Sequence, residues 1–147
     1  MSEKFIVTAA LTGAIHTPSM SPDLPITPAE LAEEARRARE AGAAVVHVHA
    51  RNPETGQPSA DSQLFGDILA KIKNKSDAVI CTTTGGGFGM TVEQRVSVVK
   101  AYSPELASLK ARTSLKPLAP NMIIITITEV EAPSATDFFI TGHFNFP

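Results

Sequence analysis

Residues 27–49, TPAELAEEARRAREAGAAVVHVH, hold one helix-to-strand unit, and their reading decides the fold class. Thr27 can cap a helix, Pro28 suits its first position, and Glu30 completes a Thr-x-x-Glu capping box. The helix runs through LAEEARRAREA and stops at Gly42, a residue that readily takes the left-handed conformation of a helix end. Ala44 to His49 (AVVHVH) then reads as a strand. A helix of this length is the crossover that two parallel strands require.

Working outward, Phe5 to Leu11 (FIVTAAL) is short, apolar and partly β-branched, as a buried strand should be. A loop from Thr12 to Ile26 follows, with Pro18, Pro22 and Pro25; loops this long are often functional. On the other side, Asp61 or Ser62 caps a helix through LFGDILAKIKNK, and Ala78 to Thr82 makes a third strand. Thr91 and Gln94 form a second capping box for a helix near Val92 to Ala101, and Leu106 to Leu109 gives a short fourth strand. Alternating strands and helices imply a parallel α/β sheet, either a barrel or an open doubly wound sheet.

After Ser108 the pattern changes. Lys110 to Lys116 has no clear period, Met122 to Val130 is strongly β-prone, and the terminal TDFFITGHFNFP carries no helix signal. No complete strand-helix unit can be read beyond Leu109. The chain therefore divides into residues 1–109, about four βα units, and an irregular tail of residues 110–147. The change of composition at one point reads as a shifted reading frame or a broken gene.

Composition sets the outer limits. The 147 residues are 43% apolar and 19% charged, enough for a hydrophobic core and unlike a disordered chain. A formal net charge of -2 with no Lys/Arg cluster argues against a nucleic-acid or anionic-membrane surface. Cys81 alone cannot form an internal disulfide, which points to a reducing compartment. No signal peptide is visible, and nothing approaches the roughly 18 consecutive apolar residues of a membrane span. The expectation is a soluble cytoplasmic protein.

His47 and His49 are the sharpest chemical feature. Residues two apart on a strand share a face, so two imidazoles could meet one metal ion, and imidazole suits zinc. Both would sit at the C-terminal end of a parallel strand, where α/β folds place their active sites. Two histidines satisfied by ordinary hydrogen bonds remain the plain alternative. The second feature is Thr82-Thr83-Thr84-Gly85-Gly86-Gly87 after the third strand. Its hydroxyls and free amides could hold a carboxylate or carbonyl oxygen; the alternative is a simple turn. It is not a Walker motif, since no Lys follows at the required spacing.

Other groups carry weaker expectations. Arg51 could meet a substrate anion, or equally form an ion pair with Asp61 or Glu54. Cys81 reads as a small core residue with no nearby basic partner, not as a nucleophile. His16 in the long first loop is expected in solvent, and His143 falls in a segment without an assignable role. No serine lies in a Gly-x-Ser-x-Gly elbow.

Four segments taken in order resemble the β-keto acid cleavage enzymes, typified by 3-keto-5-aminohexanoate cleavage enzyme. They are residues 6–35 (IVTAALTGAIHTPSMSPDLPITPAELAEEA), 40–61 (EAGAAVVHVHARNPETGQPSAD), 80–96 (ICTTTGGGFGMTVEQRV) and 103–109 (SPELASL). The resemblance covers about the first three quarters of the chain. It implies a (β/α)8 TIM barrel with one zinc ion, of which this chain holds the N-terminal half, and a homo-oligomer at full length. It carries the zinc ligands onto His47 and His49, and substrate contacts onto Thr83, Ser108 and the neighbouring Thr84 and Gly85. The implied reaction exchanges acyl groups between a β-keto acid and the co-substrate acetyl-CoA, giving acetoacetate and a new acyl-CoA.

Some positions depart from the family. A Glu that closely follows the first strand in the typifying enzyme is here Ile15, which implies a different substrate preference. The family's Asn and Gly after the fourth strand align with Lys110 and Arg112, and no match is evident past Thr113. The third zinc ligand, a late Glu, and its companion Asp and Arg have no counterpart. A closed barrel needs around 250 residues. Two other functions therefore compete: a non-catalytic half-barrel remnant, and a small module that binds a metal or an anion without acyl transfer.

Overall fold

The computed structural model describes residues 6–85, 89–108 and 123–125, the last three by backbone alone. Strands β1 (Thr8–Ala10), β2 (Val45–Val48), β5 (Val79–Thr82), β6 (Leu106–Ser108) and β7 (Ile123–Ile125) form a parallel sheet in that order. Helices α1 (Pro28–Glu40), α2 (Ser62–Lys75) and α3 (Val92–Tyr102) occupy the first three crossovers. Each strand lies beside its predecessor in the chain, and the order never reverses. A doubly wound sheet needs such a reversal, so the open question from the sequence resolves to an arc of barrel staves.

The helix boundaries follow from their caps. Thr27 Oγ1 accepts from the Glu30 amide at 3.2 Å while Glu30 Oε2 accepts from the Thr27 amide at 2.8 Å. Thr91 and Gln94 repeat the arrangement for α3, and Asp61 caps α2 through the Leu64 amide. Strands are shorter than the sequence suggests. The ladder nevertheless continues past β1, where the Leu11 amide donates to the His47 carbonyl.

One face of the sheet is sealed by helices. Leu31, Ala32, Ala35, Phe65, Ile68 and Ile72 bury themselves against Val46, Val48, Ala50 and Ile80. Alternation turns His47 and Cys81 to the opposite face, in register with one another. Leu106 and Ser108 share that face, since Leu106 pairs with Cys81 and Ala107 with Thr82.

Periodicity did not predict the hairpin that follows β2, formed by β3 (Ala50–Arg51) and β4 (Pro58–Ser59). Its turn is built on Asn52, whose side-chain oxygen accepts from the amides of Glu54 and Thr55. The β-prone stretch from Met122 to Val130 does supply a strand, β7, parallel to β6. Lys110, Arg112 and His143 lie outside the described residues.

Candidate functional site

His47 lies within the buried run of β2, and His49 stands between β2 and β3. Their Nε2 atoms face each other at 3.1 Å, with the rings edge to face. His47 is anchored from behind. Its Nδ1 lies 3.4 Å from the Cys81 sulfur, and the ring also meets the Cys81 backbone. With its proton on Nδ1, the His47 ring would direct the Nε2 lone pair at His49.

Burial removes charge from this pair. Desolvation pushes the His47 pKa down to about 4. It pushes His49 down to about 3, helped by the neighbouring His47 and the Arg51 cation. Both rings are therefore neutral near pH 7, the form that donates a lone pair. Two nitrogens each roughly 2.0–2.1 Å from a shared tetrahedral zinc ion would lie ~3.3 Å from one another, close to this spacing. The spacing fits two ligands of one cation, and it also suits a ring-to-ring hydrogen bond. Among the described residues no group of three or more His, Cys, Asp or Glu comes together.

The turn after β5 comes up against the pair. The Thr83 amide donates to the Val48 carbonyl at 3.1 Å, and the Thr83 hydroxyl accepts from the Gly85 amide at 2.9 Å. A Cβ on Gly85 would stand 3.0 Å from that hydroxyl and 3.9 Å from His49 Cε1. Any larger residue there would crowd the space between the turn and the imidazole. Thr84 donates its hydroxyl to the Ser108 carbonyl, tying the turn to the end of β6. Its own carbonyl accepts from Arg95 of α3. Thr83, Thr84 and Ser108 are all buried. His47, His49, Thr83, Gly85 and Ser108 thus gather at one end of the sheet, while His16 is exposed on the first loop.

Two expectations need correction. Arg51 makes no surface ion pair with Asp61 or Glu54; it is 1% exposed and bonded to neutral oxygens. Cys81 does have a basic neighbour, the His47 ring. Burial pushes its thiol up to about 12, so it stays protonated and is no nucleophile. Sequence spacing could not reveal either contact, because both depend on register between segments far apart in the chain.

The sequence profile of the beta-keto acid cleavage enzymes matches residues 4–136, which corrects the reading that no match is evident past Thr113. The 3,5-dioxohexanoate:acetyl-CoA acetone transferase of Paraburkholderia graminis is 50% identical over 106 residues, 72% of this chain and 34% of that one. The 3-keto-5-aminohexanoate cleavage enzyme of Fusobacterium nucleatum is 39% identical over 114 residues, 77% of this chain and 41% of that one. The chain thus spans between a third and about two fifths of these relatives' length. The apo structure of ObcA superimposes with a TM-score of 0.51 at 31% identity, covering 60% of this chain and 23% of ObcA. With a profile match across nearly the whole sequence and relatives sharing up to half of the aligned residues, this chain belongs to the beta-keto acid cleavage enzyme family.

Proposed function

We propose that the chain carries the metal-binding and substrate-binding arc of an enzyme that exchanges acyl groups between a β-keto acid and acetyl-CoA. The observation that carries this reading is the facing Nε2 atoms of buried His47 and part-buried His49, set against the Thr83–Gly85 turn. The relatives' names supply the reaction class: an acetyl-CoA acetone transferase, and a 3-keto acid cleavage enzyme. In the exchange, the bond between C2 and C3 of the keto acid breaks. Its carboxymethyl unit joins the acetyl group of acetyl-CoA to give acetoacetate, and the remaining acyl group leaves on CoA.

Zinc, when bound by His47 and His49, would supply a Lewis acid for the carbonyl oxygens of the keto acid. The protein's own groups would do the rest of the work at this end of the sheet. The Thr83 hydroxyl and the amides of the Thr83–Gly85 turn would hold the carboxylate or the developing oxyanion. Ser108, fixed by Thr84, would contact the substrate from the next strand. Cys81 would keep the His47 ring oriented and its tautomer fixed. Ile15, where the typifying enzyme has a Glu, would favour a keto acid without a positively charged distal group. The same reading places the protein in the cytoplasm, as a homo-oligomer when all barrel units are present.

The test is a zinc titration of the purified chain against a chromophoric chelator, paired with an assay for acetoacetate from acetyl-CoA and a β-keto acid. Zinc uptake lost in both His47→Ala and His49→Ala is the expected result. Uptake indifferent to both substitutions would overturn the metal assignment. Zinc uptake without acetoacetate, even when the remaining barrel units are supplied, would favour a metal-binding module instead.

A further inference from the structure

We propose that Arg51 is a positioning residue, whose guanidinium fastens the Thr12–Ile26 loop to the β3–β4 hairpin as one wall beside the histidine pair. Its importance for catalysis rests on the reading above; the clamp itself does not. Arg51 Nε donates to Thr12 Oγ1 at 2.9 Å, Nη1 to the Gly56 carbonyl at 2.7 Å, and Nη2 to the Gly13 carbonyl. Thr12 and Gly13 begin the loop after β1, and Gly56 closes the hairpin turn. One planar group therefore joins two segments that the β-ladder leaves separate.

Among the described residues no carboxylate lies within ion-pair distance of Arg51. Burying a cation among neutral oxygens is costly, and an apolar side chain of similar length would fill the volume without that cost. What an apolar chain lacks is the fork, which aims several donors in fixed directions.

A second contact supports the joint. Gly56 has φ +69°, and a Cβ there would stand 2.9 Å from Pro18 Cγ and 3.2 Å from Pro18 Cδ. The hairpin turn thus backs directly onto the first loop. That loop ends at Thr27, the cap of α1, and is fixed at both ends. His49 lies between the β2 ladder and Arg51, so whatever holds Arg51 also holds the backbone of the second imidazole.

Hydrogen exchange on the full 147-residue chain tests the clamp. The loop and hairpin contain backbone-bonded amides at Met20, Leu24, Asn52 and Gly56. In Arg51→Met these four should exchange at least about tenfold faster, while amides within α1 and α2 keep their wild-type rates. Arg51→Lys should behave like Arg51→Met, because an ammonium keeps the charge and loses the fork. Thr12→Val, which removes only the acceptor of Nε, should give a smaller acceleration at the same amides. This milder variant decides the matter if Arg51→Met does not fold.

Unchanged exchange in all three variants overturns the proposal, as does acceleration spread evenly over the helices, or full rescue by Lys. A zinc titration of the same variants tests the catalytic consequence. Wild type that takes up no zinc refutes the metal reading and leaves the exchange result to decide the clamp. Wild type that binds zinc, with Arg51→Lys binding about tenfold more weakly, links the wall to the histidine pair.

Discussion

Thr82 is fully buried, and its hydroxyl has no hydrogen-bond partner among the described residues. It pairs in register with Val48 and faces the helical layer, where its neighbours are apolar. A buried hydroxyl without a partner loses its hydration for nothing. Thr82→Val keeps the shape and should leave stability unchanged or raise it by about 1 kcal/mol, read from the urea midpoint at constant slope. A loss of stability would mean that the hydroxyl has a partner. The histidines give a pH prediction. Both are neutral in the fold, with pKa values depressed by burial from 6.5 to about 4 and about 3. The unfolded chain takes up protons near 6.5, so stability is full above that pH and falls as the pH drops toward 4. For His47 the loss is on the order of 3 kcal/mol. In metal-free protein, His47→Asn should flatten the fall between pH 6.5 and 4.5; parallel curves for the two proteins would refute the assignment. At this scale the sequence carried the pair, because spacing alone puts residues 47 and 49 on one side. It could not carry the burial of Arg51 or the approach of Cys81, since a side chain's surroundings come from other segments.

Element boundaries were legible where a side chain caps a backbone. Thr27, Asp61 and Thr91 each start the helix that their identity announces. The β3–β4 hairpin was not, because two-residue strands have no period to detect. Its only local signal is the turn chemistry of Asn52 and Gly56, which fixes a bend without naming its partner. Glycines separate the two contributions to such a bend. Gly42 has φ +106° and nothing within 4 Å of an added Cβ, whereas Gly56 has φ +69° and Pro18 at 2.9 Å. Gly42→Ala should cost about 1 kcal/mol from backbone strain alone. Gly56→Ala should cost roughly 2 kcal/mol or more, since Pro18 is a rigid ring that must shift. Equal losses in denaturant midpoint would show that the loop yields and that the hairpin does not press on it. The end of α3 offers the reverse case. Ser103 caps it with φ 43°, a left-handed conformation that a side chain resists. Ser103→Gly should therefore stabilise by about 0.5–1 kcal/mol, which thermal unfolding can read.

For the molecule as a whole, the alternation of strands and helices fixed the α/β class, and the consecutive strand order then selected an arc of a barrel. What the alternation could not specify is how that arc is closed, because closure depends on what pairs with the outer edge of β1. A parallel sheet is ordinarily buried on both faces. Here the helical face is sealed, with Leu31, Val46, Val48, Ile68 and Ile72 at 0% exposure. The opposite face is only partly covered: Val79 is 36% exposed on a central strand, and Ala10 is exposed on β1. Ile6 and Val7, just before β1, leave 47% and 43% of their surface open. Apolar surface beside an open strand edge is the usual starting point for association. The 147-residue chain by itself should therefore sediment as a concentration-dependent mixture and bind a hydrophobic dye such as ANS. Val79→Glu places a charge on the exposed part of this face without touching the helical core. It should shift the sedimentation profile toward monomer while far-UV circular dichroism stays the same. A wild-type chain that is monomeric at every concentration and does not bind the dye would mean that this face is already covered. The search would then turn to the residues that cover it.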